Sequence, residues 1–154
     1  MQKLAILVTR LSSWVLSKMG RGGSMPGRLG IKIAPDCLNH LKFGGPVILV
    51  TGTNGKTSTA NMVSDLMEEA GYKVVTNRKG DNLRVGITST LLSHCSLSGR
   101  VKADAAVLEV DELNMKYIVP ALPVTAIVVN NFFRDQLDRA GEMERIIDTI
   151  ESVL

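Results

Sequence analysis

Apolar residues recur at three- and four-residue steps from the start of the chain: Leu4, Leu7, Val8, Leu11, Trp14, Val15 and Met19, with Arg10, Ser13, Ser17 and Lys18 between them. That period predicts an amphipathic helix. The next stretch, GRGGSMPGRLG at 20–30, is dense in glycine and carries Pro26, so it predicts a loop or linker. IKIAPDCLNHLKF at 31–43 predicts a short strand and then a short helix beginning near Pro35 and Asp36. After Gly44, Gly45 and Pro46 the pattern changes. VILVT at 47–51 is continuous and β-branched rather than alternating, which suits a strand covered on both faces. From Lys56 the helical period returns, with Ala60, Val63, Leu66, Met67 and Ala70 on one face and Gly71 as a stop.

The alternation continues. YKVVT at 72–76 predicts a strand, LRVGITSTLLSH at 83–94 a helix, AAVLEV at 105–110 a strand and PVTAIVV at 123–129 another. Strands alternating with helices imply right-handed crossovers and ligands at the carboxyl ends of the strands. The fold class expected is α/β: a three-layer, P-loop-type, mostly parallel sheet with helices on both faces. GEMERIIDTIESVL then places Met143, Ile146, Ile147, Ile150, Val153 and Leu154 on one helix face and stops without a cap. An apolar face at the chain end is the expected mark of truncation. Residues 1–43 are read as an N-terminal helix and linker, and 44–154 as an incomplete domain.

Composition narrows the class. With 45% apolar residues and a formal net charge of +3 over 154 residues, the chain is neither disordered nor longer than one domain requires. Residues 1–43 hold seven bases and one acid, which leaves eleven bases and fourteen acids for the remainder. This asymmetry argues against a uniformly basic nucleic-acid-binding face and puts any attraction to anions at the N-terminal segment. For the first helix, packing of its Leu and Trp14 face on the sheet is the expectation. Adhesion to an anionic membrane surface is the second reading. No apolar run reaches the ~18–20 residues that span a bilayer, and Arg10 interrupts the only stretch resembling a signal peptide. Cys37 and Cys95 lack paired CxxC spacing, which points to a reducing cytoplasm. Neither the neighbouring Cys95 and His94 nor Cys37 and His40 stand in a nucleophile context, so both pairs are read as structural.

The strongest chemical signal is TGTNGKTST at 51–59, set between the buried strand and an amphipathic helix. The longer P-loop pattern would place glycine at Val50, so the match is to the GxxGKT core. Gly52 and Gly55 allow a sharp turn that brings bare amides to phosphate oxygens. The helix start adds its positive end. Lys56 would bridge the outer phosphates, and Thr57 would offer its hydroxyl to magnesium. A glycine turn before a capped helix, with Lys56 merely solvated, is the bland alternative.

At LEVDE, Glu109, Asp111 and Glu112 lie where a parallel strand reaches the carboxyl edge of the sheet. Strand alternation puts Glu109 and Asp111 on one side and Glu112 on the other. Asp111 and Glu112 also suit the first turn of a helix over ELNMKYI. Glu109, between Leu108 and Val110, needs a cation or partner.

TGTNGKT, Glu109 and NNFFRDQLDRAGE at 130–142 together resemble the ATP-binding central domain of the Mur ligase family. Asn131, Asp135 and Asp138 match the spacing of the family's N-x-x-x-D-H-[LM]-D stretch, with Gln136 where most members have histidine. The resemblance implies ATP and Mg2+ as cofactors. It also implies phosphorylation of a carboxylate, which is then joined to an amine. It makes Gly52, Thr53, Asn54, Gly55, Lys56, Thr57, Ser58 and Asn131 nucleotide contacts, Thr57 and Glu109 metal ligands, and Lys56, Glu109 and Asp135 the catalytic set. Only about fifty residues precede the loop, where ordinary members carry a uridine-nucleotide-binding domain. Within the family, the RDQLDR stretch, the glycine linker and TNRKGDNLRVGI look most like the ligase subunit of an amidating complex. The resemblance then implies lipid II as substrate, its D-glutamate α-carboxylate becoming D-isoglutamine, and a glutaminase subunit as heterodimer partner supplying ammonia. The family's zinc ribbon and C-terminal domain have no counterpart in these residues, so the chain alone is expected to be inactive. The alternatives are a folylpolyglutamate-synthase-like ligase, whose loop usually continues GKG, and a non-catalytic ATP-binding regulatory module.

Overall fold

A computed structural model describes residues 1–20, 23–77, 81–132 and 140–153. Helix α1 (Gln2–Lys18) and helix α2 (Met25–Ile33) lead through a 3-10 turn (Cys37–His40) to strand β1 (Val47–Thr51). Then follow α3 (Lys56–Glu69), β2 (Val74–Thr76), α4 (Arg84–Ser93) and β3 (Ala105–Glu109). A 3-10 turn (Glu112–Asn114), α5 (Met115–Ile118), β4 (Ala126–Val129) and α6 (Ala140–Glu151) complete the order.

The four strands form one sheet in the order β2-β3-β1-β4, and every pairing is parallel. The α/β layering read from the sequence is therefore present. β1 and β3 are central and bury almost every residue, as strands covered on both faces must. Successive side chains point to opposite sides. Leu49, Ala106 and Leu108 enter the larger core under α1, α2 and α4, whereas Val50 and Val107 meet Ala60 of α3. The register pairs Val50 with Glu109, so the loop after β1 and the acidic end of β3 lie side by side.

The N-terminal region departs from expectation. Met25–Ile33, read as part of a linker and a strand, is helix α2, with Pro26 in its first turn where proline lacks no needed donor. Its glycines act in packing. A Cβ on Gly27 would lie 1.8 Å from the Val85 carbonyl oxygen of α4, and one on Gly30 would lie 2.6 Å from the Thr9 hydroxyl of α1. A three-residue step puts both on one face, and their missing side chains let three helices touch. Gly27→Ala is expected to destabilise the protein by about 1–3 kcal/mol through overpacking, with a thermal midpoint lower by several degrees. Arg28→Ala, at an exposed neighbour, should leave it unchanged. Equal midpoints for the two variants would contradict so close an approach.

Helix α1 also turns the other way. Ala5, Ile6 and Thr9 are buried, and Thr9 donates to the Pro26 carbonyl at 3.2 Å. Leu4, Leu7, Leu11 and Trp14, expected on the sheet, are each more than half exposed. Thr9 lies against Gly30 of α2, while Ala5 and Ile6 enter the larger core. Residues 5, 6, 37 and 38 consequently share the core with Leu49 and Leu108. In α3, Ala60, Val63 and Met67 pack as expected, but Leu66 is exposed. Ile146, Ile150 and Val153 of the last segment pack on the core, with Ile147 outward.

Candidate functional site

The turn after β1 is built from its glycines. Gly52 and Gly55 have φ of 128° and 78°, in the region that favours glycine. A Cβ on Gly52 would also lie 2.9 Å from the Asn131 carbonyl oxygen. Val50, where the longer motif wants glycine, is a fully buried strand residue, and the loop is short because β1 continues through Thr51.

Asn130 and Asn131, just past β4, brace this loop. The Thr53 amide donates to the Asn131 carbonyl at 2.7 Å, and the Asn54 amide to the Asn131 side-chain oxygen at 3.1 Å. The Asn131 side-chain nitrogen donates to the Asn54 carbonyl at 3.2 Å, and that of Asn130 to the Thr59 hydroxyl at 2.9 Å. Two of the amides expected to be bare are thus engaged by protein. The amides of Gly52, Gly55, Lys56, Thr57 and Ser58 are not so engaged among the described residues. First-turn amides have no intrahelical acceptor.

Lys56 turns back over the loop. Its ammonium donates to the carbonyls of Gly52 and, at 3.2 Å, Thr53, and it meets a Glu112 carboxylate oxygen at 3.4 Å. Both side chains are largely shielded from water. Thr57 donates to Glu109 at 2.8 Å, and Asn82 donates to the other Glu109 oxygen at 2.9 Å. Asn77 clamps the Glu109 backbone from both sides, donating to its carbonyl at 2.8 Å and accepting from its amide at 2.9 Å. Glu109 is only 4% exposed, so these bonds satisfy a carboxylate that burial would otherwise penalise.

The acidic run resolves differently from simple alternation. The strand ends at Glu109, and the following 3-10 turn brings Glu112 to the Lys56 side. Asp111 caps that turn, accepting from the Leu113 amide at 3.1 Å. The helix-opening role suits Asp111, and Glu112 belongs to the site. Asp135, with Gln136, Asp138 and Arg139, lies outside the described residues. Asn77 and Asn82 lie in TNRKGDNLRVGI and Asn130 in NNFFRDQLDRAGE, stretches that carry the resemblance but show no role for these residues, because an asparagine gains one only from what the fold sets against it.

Thr57 and Glu109 offer hard oxygen donors already within hydrogen-bonding distance of each other. Mg2+ is commonly held by one or two protein oxygens, with phosphate and water completing its octahedron, and the pair fits that pattern. Among the described residues no cluster of three His, Cys, Asp or Glu could hold a metal without such help. The two cysteines lie in the larger core. Both are buried and free, and burial pushes the Cys95 thiol up to about 11 and raises that of Cys37. His94 is tied to the Thr90 carbonyl at 2.8 Å and His40 to the Asp36 carboxylate at 3.0 Å.

A parallel sheet with a glycine loop after its central strand, a lysine over that loop and a carboxylate on the neighbouring strand is the layout of a P-loop-type α/β domain. The description "Mur ligase middle domain" matches residues 50–152, and the chain belongs to the Mur ligase family. It is 36% identical over 154 residues to the lipid II isoglutaminyl synthase (glutamine-hydrolyzing) subunit MurT of Streptococcus pneumoniae, covering 97% of this chain and 34% of that protein. The subunit of the same name from Staphylococcus aureus (strain COL) is 30% identical over 155 residues, covering 99% of this chain and 35% of that protein. A UDP-N-acetylmuramoylalanine--D-glutamate ligase of Nitrobacter winogradskyi is 34% identical over 109 residues, covering 71% of this chain and 21% of that protein. The chain thus spans about a third of the length of the MurT relatives it matches.

Proposed function

We propose that these residues are the nucleotide-binding part of an ATP-dependent amide ligase. Its activity would convert the D-glutamate α-carboxylate of the lipid II stem peptide to D-isoglutamine, in peptidoglycan synthesis at the cytoplasmic side. One observation carries the choice of acceptor. The relatives named MurT match 97% or more of the chain, helices α1 and α2 included, whereas the Nitrobacter D-glutamate ligase covers 71%. The glutamine-hydrolyzing activity in the name of the MurT relatives supports a glutaminase partner as the ammonia source. On this reading residues 44–154 form the catalytic portion and the first 43 an N-terminal layer upon it.

MgATP, when bound, supplies the phosphoryl group that would activate the carboxylate as an acyl phosphate, with ADP released, so that ammonia could replace phosphate at the acyl carbon with loss of a proton. The chain's own residues position and neutralise charge, which dominates such transfers. The amides of Gly55 to Ser58 cradle the phosphates at the positive end of α3. Lys56 exchanges its loop carbonyls for phosphate oxygens, and Glu112 keeps it aimed there. Thr57 and Glu109 hold the metal, with Asn77 and Asn82 fixing Glu109. Asn131 braces the loop next to the nucleotide, and Asp135 is proposed as a further catalytic carboxylate near the metal or as the base.

The test is amidation of purified lipid II by the whole protein with MgATP and ammonium, followed by mass spectrometry of the stem peptide. Addition of a glutaminase subunit should let glutamine replace ammonium. Nucleotide binding without amidation under either nitrogen source would refute the acceptor assigned.

A further inference from the structure

Helix α1 is apolar on two sides, and only one is covered. Ala5, Ile6 and Thr9 face α2 and α4, while Leu4, Leu7, Leu11 and Trp14 form a stripe on the opposite side and are each more than half exposed. A helix apolar all round is ordinarily buried all round, and a contiguous exposed stripe marks an interaction surface.

The charged side chains of α1 itself have one sign. Lys3 and Arg10 run along one edge, and the Lys18 ammonium lies 5.2 Å from the centre of the Trp14 ring. Helix α2 adds the exposed Arg28 and Lys32. Helices α1, α2 and α4 contain no Asp or Glu, and the first acid of the chain is Asp36.

We infer that this face binds the surface of an anionic lipid bilayer. α1 lies in the interfacial plane, its leucines at the acyl boundary, the Trp14 ring at headgroup depth and Lys3, Arg10 and Lys18 against lipid phosphates. No described helix is long and apolar enough to cross the membrane, so the contact is peripheral. A second copy fits less well, because pairing two such faces would bring like-charged rims together. Each cation near an anionic leaflet is worth about 1 kcal/mol, which multiplies partitioning roughly fivefold. The inference does not depend on the ligase reading, since neither the glycine loop nor Glu109 enters it.

Trp14 is the only tryptophan, so its fluorescence reports the contact directly. Vesicles of phosphatidylcholine with phosphatidylglycerol are expected to shift its emission to the blue and to co-sediment the protein at least tenfold better than phosphatidylcholine alone. Leu7→Ser with Leu11→Ser should weaken that binding at least tenfold. Lys3→Glu with Arg10→Glu should weaken it roughly twenty-five-fold or more, as two fivefold factors are lost. All four side chains are exposed, so thermal midpoints should stay unchanged and separate lost binding from lost folding. Equal binding to both vesicle types, or no blue shift on either, would overturn the inference. So would self-association or a protein partner that shields Trp14 while anionic vesicles do not.

Discussion

Lys56→Ala is expected to weaken ATP binding at least tenfold by calorimetry and, separately, to destabilise the protein without nucleotide. The binding loss follows from charge-assisted hydrogen bonds worth about 1.5–3 kcal/mol each, against about 1.4 kcal/mol for a factor of ten. The stability loss has another origin. Glu112, 7% exposed, has the Lys56 ammonium at 3.4 Å, and removing the cation leaves a shielded carboxylate without its counter-charge, at a cost of about 1–3 kcal/mol. Adding Glu112→Gln to the Lys56→Ala protein should therefore restore much of the stability while leaving ATP binding weak. If the second substitution restored binding as well, the lysine would be a structural partner of Glu112 and no phosphate ligand. If Lys56→Ala left ATP affinity unchanged, the nucleotide site itself would be misplaced.

The second large effect is expected at Glu109. Glu109→Gln preserves shape and can still accept from Thr57, but it gives up the charge a metal needs and turns an amide nitrogen toward Asn82 or Thr57. In the whole protein, turnover with MgATP should fall about 10²–10³-fold, the range for losing one preorganised electrostatic group in a transfer site. The thermal midpoint should change much less, because Asn77 holds the Glu109 backbone rather than its carboxylate. Raising the Mg2+ concentration should recover part of the turnover. Wild-type turnover in Glu109→Gln would remove this residue from the metal site. Thr57→Ser, which keeps the hydroxyl, should behave almost as wild type in the same assay.

These two residues differ in how visible they are beforehand. Lys56 sits inside a contiguous nine-residue motif between a β-branched run and a helical period, so loop, lysine and helix start are all local features. Glu109 stands out because a carboxylate inside an apolar strand demands a partner. Glu112 stands out far less, since an acid at a helix start is common and alternation points it away. Only the 3-10 turn after Glu109 returns it to the Lys56 side. Asn131 shows the same limit. Its spacing suggests a nucleotide contact, yet the fold sets its carbonyl and side chain against Thr53 and Asn54, 77 positions away for the Asn54 pair.

The N-terminal helices show where periodicity misleads. In α2 the glycines suggest a flexible linker, because glycine weakens an isolated helix. Their value here is spatial, since Val85 and Thr9 occupy the room a side chain would need. In α1 the larger apolar stripe is the more conspicuous one, yet the face with Ala5, Ile6 and Thr9 is buried, Thr9 where Gly30 of α2 leaves room and Ile6 in the core.

From sequence alone came what near neighbours decide: the β-branched strands, the glycine turn, the lysine and threonine at the helix start, the lone acid in β3 and hence the α/β class. Tertiary structure decided which loop amides Asn131 engages, which second acid meets the lysine, that a glycine-rich stretch is helical and which side of α1 faces out. The division follows from range. Backbone preference and hydrophobic period act over a few residues, whereas these other features depend on contacts between segments whose separation along the chain no local pattern encodes.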